Sequence, residues 1–256
     1  MQVVILAGGL WTRLSEETTV KPKPMVEIGW RPILWHIMKI YSQYGYKDFV
    51  ICLWYKWYMI KEWFANYLLH NSDVTIDTQT GGQITVHNTN TEDWKVTLID
   101  TGDNSGTWWR IKRIGPYING NTFMMTYGDG LSDIDLDALL QFHESHGKLA
   151  TLTAIQPEWK FGRLGLEWDM ITEFAEKKDN IDSWINGGFM VLNKKVLDYI
   201  ESDEVMFERD PLERIAHDHE LMSYKHRWFW HAMDTLKNRT DLETMLATGK
   251  APWKIW

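Results

Sequence analysis

The alternation of short apolar runs with helical patterns predicts an α/β fold, a doubly wound sheet built from βαβ units. Three observations carry this expectation. VVILA (3–7) and DFVICL (48–53) are continuous apolar runs that read as buried strands. Between them PILWHIMKIYSQYG (32–45) opens on Pro32, spaces its apolar residues helically and closes on Gly45. The order then recurs: MIKEWFANYLLH (59–70) reads as a helix, VTLID (96–100) as a strand, and TFMMTYGDG (122–130) as a strand ending in a glycine-flanked aspartate.

The remaining elements follow from local chemistry. VTIDTQTGGQITVHN alternates β-branched residues around Gly81-Gly82, which predicts a hairpin inserted at about 73–95. DLDALLQFHESHG (135–147) predicts a helix with acidic residues in its first turn and Gly147 at its end. ATLTAI (150–155) and FMVLN (189–193) predict two more strands, while DPLERIAHDHELM (210–222) and RTDLETMLATGK (239–250) predict helices. With no internal repeat or Pro/Ser-rich linker, one domain is expected over 1–256, with a C-terminal part from about 150 to 256 that ends helically.

Composition narrows the function. The net charge of −8 and the lack of a basic run argue against a nucleic-acid partner. The one cysteine, Cys52, lies inside DFVICL, which precludes an intrachain disulfide and predicts a buried, inert thiol. No signal-like leader and no apolar run of membrane-spanning length are read, so a cytoplasmic protein with no membrane partner is expected.

Ligands of open α/β sheets bind beyond the carboxyl ends of the strands. The turn after the first strand, AGGLWTRL (7–14), is neither a GxGxxG fingerprint nor a Walker loop. It offers backbone free to approach phosphate oxygens, followed by Arg13, with Lys23 ten residues on. Two cations aimed at one polyphosphate neutralise charge and hold a leaving group. The alternative, that Arg13, Lys21 and Lys23 are solvated loop charges, stays open on spacing alone. Asp129 in YGDG is placed to bind Mg²⁺, which takes one or two carboxylates plus substrate phosphates. Capping of the next helix suits Ser132, Asp133 or Asp135 better. DGLSDIDLDALL lacks the glycine and terminal acid of a calcium loop. His143, His146, His217 and His219 read as helix-surface residues, and no Ser-His-Asp arrangement stands out.

With AGGLWTRL, KPKPMVEI, YGDG, EKK, NGGF and MDT in view, the chain resembles the sugar-phosphate nucleotidylyltransferases. PILWHIMKIYSQYG, KEWFANYLLHNSDVT, WINGGF and APWK resemble its cytidylyl branch acting on glucose 1-phosphate. The resemblance implies a Rossmann-like mixed sheet of the nucleotide-diphospho-sugar transferase type, Mg²⁺ as cofactor and a homo-oligomer. It also implies transfer of a cytidylyl group from CTP to α-D-glucose 1-phosphate, giving CDP-glucose and pyrophosphate for polysaccharide biosynthesis. By position, Leu6, Ala7, Gly8, Gly9, Leu10 and Thr12 would lie against the nucleotide, with Arg110 and Gly128 completing its site. Arg13 and Lys23 would clamp the triphosphate, and Asp129 and Asp234 would hold the metal; Arg13, Lys23 and Asp129 form the implied catalytic set. Glu176 and Lys177 would meet the sugar phosphate, and Asn186, Gly187 and Gly188 would shape the sugar pocket. No residue announces cytosine, so a uridylyl- or thymidylyltransferase and a non-catalytic nucleotide-sugar-binding relative stay open, as does a tryptophan-rich glycan-binding module.

Sixteen tryptophans set the chain apart. The family has glycine where this chain has Trp11, Trp30, Trp54, Trp57, Trp108, Trp109, Trp159, Trp168 and Trp228, and Lys178 replaces a proline. Trp35, Trp94, Trp230 and Trp253 match aromatic positions. At positive φ a side chain costs about 1–2 kcal/mol, and an indole at Trp11 would also stand in the phosphate path, so impaired activity is expected. Trp108 and Trp109 are expected to disturb the turn presenting Arg110, and Trp54 and Trp57 to crowd a loop at the nucleotide end.

Overall fold

The computed structural model describes residues 1–7, 21–102, 106–156, 184–200 and 211–256, together with the backbone of 163–167 and 170–175. In chain order, β1 (Gln2–Ala7) leads to a 3₁₀ turn (Lys23–Met25), the short pair β2 (Glu27–Ile28) and β3 (Arg31–Pro32), helix α1 (Ile33–Gln43) and β4 (Asp48–Leu53). Helices α2 (Trp57–Ala65) and α3 (Tyr67–His70) precede the hairpin β5 (Ser72–Asp77) and β6 (Gln83–Thr89), then β7 (Lys95–Asp100) and α4 (Thr107–Arg113). Next come β8 (Thr122–Tyr127), β9 (Gly130–Ser132), α5 (Leu136–His146) and β10 (Ala150–Ile155). The chain continues through the hairpin β11 (Arg163–Glu167) and β12 (Met170–Ala175), then β13 (Ile185–Asn193), α6 (Pro211–His217), β14 (Leu221–His226), β15 (Trp230–Ala232) and α7 (Leu236–Ala247).

Among the described residues, seven strands form the central sheet in the order β14-β10-β13-β8-β1-β4-β7. β1 runs parallel to β4 and β8, whereas β13 runs antiparallel to β8 and β10, so the sheet is mixed. The register Gln2↔Asp48 through Ala7↔Leu53, with Leu6↔Tyr127 on the other side, aligns the carboxyl ends of β1, β4 and β8.

Alternation along each strand builds two cores. Val3, Ile5 and Ala7 face one side, with Phe49 and Ile51, and pack on Ile33, Leu34, Ile37 and Tyr41 of α1. Val4 and Leu6 face the other side, with Val50 and Cys52, and pack on Trp108 and Ile111 of α4. Each such aliphatic side chain contributes about 1.5–3 kcal/mol by leaving water. Cys52 is buried as expected, and burial pushes its thiol up to about 12.

Several boundaries differ from the sequence reading. The helix expected over 59–70 breaks at Asn66, whose backbone N–H and side-chain amide both bond the Glu62 carbonyl. The helix expected over 210–222 stops at His217; His219 turns the chain at φ 58, and Leu221 begins β14 on the sheet edge. The last helix starts at Leu236 rather than 239, because Thr235 and Asn238 form a reciprocal capping box. Asp135 caps α5 by accepting from the Ala138 N–H at 2.9 Å, and Gly147 ends it at φ 64. His143 is buried against Thr151 rather than on the helix surface. Among the described residues no helix is long and apolar enough to cross a membrane.

Candidate active site

The two acids singled out in the sequence are brought together by a short antiparallel pair. β9 follows Asp129 and β15 precedes Met233 and Asp234; Gly130 pairs with Ala232 and Leu131 with His231. Extending that register sets Met233 opposite Asp129, and the Met233 N–H donates to the Asp129 carbonyl at 2.9 Å. Asp129 and Asp234 thereby converge from positions far apart in the chain.

Between them lies Lys23. Its ammonium donates to Asp129 Oδ2 at 2.7 Å and to Asp234 Oδ1 at 2.8 Å, both charge-assisted bonds. The Lys23 side chain is 1% exposed, against 15% for Asp129 and 43% for Asp234, so the group opens to solvent on the Asp234 side. Burial raises the Asp129 carboxyl above its ordinary value, and the hydrogen-bonded Lys23 ammonium opposes that rise. Lys23 is placed by the 3₁₀ turn between Pro22 and Met25, where Met25 N–H bonds the Pro22 carbonyl at 2.8 Å. Lys21, by contrast, pairs with Glu27 at 2.7 Å at a partly exposed position and stays outside the group.

Gly128 locks this arrangement to the end of β1. Its N–H donates to the Leu6 carbonyl at 3.1 Å. A Cβ there would lie 3.0 Å from Leu6 O and 3.2 Å from Pro24 Cγ, tight enough that a side chain would push these segments apart. Leu6, Ala7, Gly128, Asp129 and Lys23 therefore share the carboxyl edge of the sheet.

A second cluster stands at the end of β4. Thr101 bonds the Leu53 carbonyl through its N–H and its hydroxyl, and Arg110 Nη1 donates to Thr101 Oγ1 at 3.3 Å. The Arg110 guanidinium lies over the Trp54 ring at 4.3 Å. The segment GTWWR, expected to be a turn, is the first part of α4, and Trp108 is fully buried beneath the sheet. Its indole is core material that carries Arg110 rather than a disturbance to it.

The glycines of WINGGF sit at the start of β13. Trp230 Nε1 donates to the Gly187 carbonyl at 2.6 Å, and Gly188 N–H donates to Asn186 Oδ1 at 2.9 Å. Gly188 adopts φ 82 with Tyr127 against it, where a Cβ would approach Cδ2 to 2.6 Å. A cleft of about 680 Å³ opens beside Asp234, lined in part by Ile155, Ile185, Trp228, Trp230 and Asn238.

The donor set suits Mg²⁺: two converging carboxylates with one open side match an ion completed by substrate phosphates and water, rather than a closed protein cage. His226 is no catalytic base of a triad. Ser132 Oγ, Asp133 Oδ1 and the Phe229 carbonyl all meet the same atom, Nε2, whereas a relay needs both ring nitrogens.

The family model described as nucleotidyl transferase matches residues 2–235. The chain belongs to the nucleotidyl transferase family. It is 52% identical, over the full length of both chains, to the glucose-1-phosphate cytidylyltransferase of Salmonella typhi. It is 44% identical, again over both full lengths, to a probable glucose-1-phosphate cytidylyltransferase of Bacillus subtilis (strain 168). Among solved structures it resembles HddC from Yersinia pseudotuberculosis with a TM-score of 0.69 at 23% identity, covering 96% of this chain and 99% of that one, a likeness of fold.

Of the residues read as site residues in this nucleotidyl transferase, the fold gathers Leu6, Ala7, Lys23, Gly128, Asp129 and Asp234, holds Arg110 of α4 against Thr101 at the end of β4, and sets Asn186–Gly188 at the start of β13. Gly8, Gly9, Leu10, Trp11, Thr12, Arg13, Glu176, Lys177, Lys178, Trp159 and Trp168 lie outside the described residues. Sequence reasoning missed Trp54 as the partner of Arg110 and missed the β9–β15 pair. The alternation of WHA over three residues is too short to signal a strand.

Proposed function

We propose that the chain transfers a cytidylyl group from CTP to α-D-glucose 1-phosphate, forming CDP-glucose and releasing pyrophosphate. The observation that carries the reaction type is the meeting of Asp129, Asp234 and Lys23 at the carboxyl edge of the sheet. Full-length similarity to glucose-1-phosphate cytidylyltransferases supports the substrate pair.

In the proposed step a phosphate oxygen of the sugar phosphate attacks the α-phosphorus of CTP in line, the bond to the β-phosphate bridging oxygen breaks, and pyrophosphate leaves with the electron pair. No protein nucleophile takes part, so rate comes from positioning and charge stabilisation. Mg²⁺ bound by Asp129 and Asp234 would neutralise charge on the phosphates. Lys23 and Arg13 hold the triphosphate, and the end of β1 with Gly128 and Arg110 receives the nucleotide. Glu176 and Lys177 meet the sugar phosphate, and Asn186, Gly187 and Gly188 bound the sugar. The setting proposed is cytoplasmic, in a homo-oligomer serving polysaccharide and O-antigen biosynthesis.

Pyrophosphate release with glucose 1-phosphate and, in parallel, CTP, UTP, dTTP and GTP tests this reading. Fastest turnover with CTP and Mg²⁺ is expected. Release from none of the four, or faster release from another, would overturn it.

A further inference from the structure

We infer that Lys23 is a cationic latch on the carboxylate pair: its ammonium competes with a divalent cation for Asp129 and Asp234, and a polyphosphate draws it away, so metal and nucleotide bind as coupled partners. The inference rests on the proposed metal-ligand roles of the two acids.

Three observations carry it. The Lys23 ammonium spends two of its protons on one oxygen from each acid, at 2.7 and 2.8 Å. A divalent ion reaching the same two carboxylates would lie against an ammonium whose side chain is 1% exposed, and such like charges in a poorly solvated place repel strongly. The release is confined to side-chain rotation, because the backbone of Lys23 is fixed: Pro22 precedes it at φ −66, Pro24 follows it, and its carbonyl accepts from the Val26 N–H at 3.0 Å. A long, flexible lysine stem on a rigid turn can exchange carboxylate oxygens for phosphate oxygens without moving the strand ends. A triphosphate supplies those anionic oxygens and also supplies ligands to the metal, so each partner removes an obstacle to the other.

The test is Mn²⁺ binding, followed by electron paramagnetic resonance without sugar phosphate. Lys23→Met is expected to bind Mn²⁺ about tenfold tighter than the parent chain in the absence of nucleotide. Inorganic triphosphate or CTP, corrected for its own chelation, is expected to tighten Mn²⁺ binding about tenfold in the parent chain and far less in the variant. The carboxylates left facing each other threaten the fold of Lys23→Met, so Lys23→Gln is measured in parallel, and the triphosphate titration of the parent chain stands without any variant. Asp129→Asn separates the two claims. Should it retain Mn²⁺ binding with CTP, the metal roles and the latch fall together. Should it lose that binding while the Lys23 variants bind no tighter than the parent and triphosphate tightens nothing, the latch alone is wrong.

Discussion

The Arg110 guanidinium lies 4.3 Å from the centre of the Trp54 ring, and its Nη1 donates to Thr101 at 3.3 Å. An indole that interrupts a strand-to-helix turn thus serves as the floor for a buried cation at the carboxyl edge of the sheet. A stacked, desolvated guanidinium of this kind contributes about 0.5–2 kcal/mol. Replacing Trp54 by glycine is therefore expected to lower the urea midpoint by an amount equivalent to about 1–2 kcal/mol. An unchanged midpoint would show that the contact carries no stability.

The other tryptophans divide by backbone and burial. Trp30 is 88% exposed and holds φ 66, a conformation that favours glycine, so Trp30→Gly is expected to stabilise by about 1 kcal/mol. Trp108 is fully buried in helix α4, so Trp108→Gly is expected to destabilise by about 3–5 kcal/mol through the cavity alone. Thermal melts of the two variants should move in opposite directions. A shift of the same sign in both would refute the division.

His36 is expected to make the stability of the fold acid-sensitive. The ring is buried, its Nε2 meets the Ile28 carbonyl at 2.7 Å, and burial holds its pKa at about 4 instead of 6.5. Because the unfolded chain takes up this proton first, stability contributed by the neutral ring is complete above pH 6.5 and is lost as pH falls towards 4. The full loss is about 3 kcal/mol. Urea denaturation of the parent chain and of His36→Gln across this window should show a shallower pH slope in the variant; equal slopes would assign the acid sensitivity elsewhere.

Gly128 carries the closest backbone approach in the site. Gly128→Ala forces Leu6 O or Pro24 Cγ to shift from a Cβ at 3.0 and 3.2 Å, which displaces the turn bearing Lys23 relative to Asp129. Turnover is expected to fall about a hundredfold, the scale on which small misplacements act, while the protein still melts cooperatively. Full activity in the alanine variant would remove the proposed importance of that contact.

How far the sequence went can be seen in single elements. β1 and β4 were legible because burial on both faces makes their runs continuously apolar, and α5 because Asp135 and Gly147 mark its ends. GTWWR misled because Gly106 and paired indoles look like a disrupted turn, whereas a buried Trp108 is decided by the space under β1 and β4, which no local pattern records. Asp129 announced itself through its flanking glycines. That it meets Asp234 depends on the pairing of β9 with β15, two three-residue strands far apart in the chain, and such pairing is tertiary information. The lysine between the acids was read as a phosphate ligand, and its grip on both carboxylates was visible only in the fold.

In the proposed mechanism Asp129 and Asp234 act as one unit. Pyrophosphate release from CTP and glucose 1-phosphate, measured at saturating Mg²⁺ for Asp129→Asn, Asp234→Asn and the double variant, tests it directly. The double variant is expected to be hardly slower than the worse single one, as for groups sharing one task. Losses that multiply, or full activity in either single variant, would contradict it.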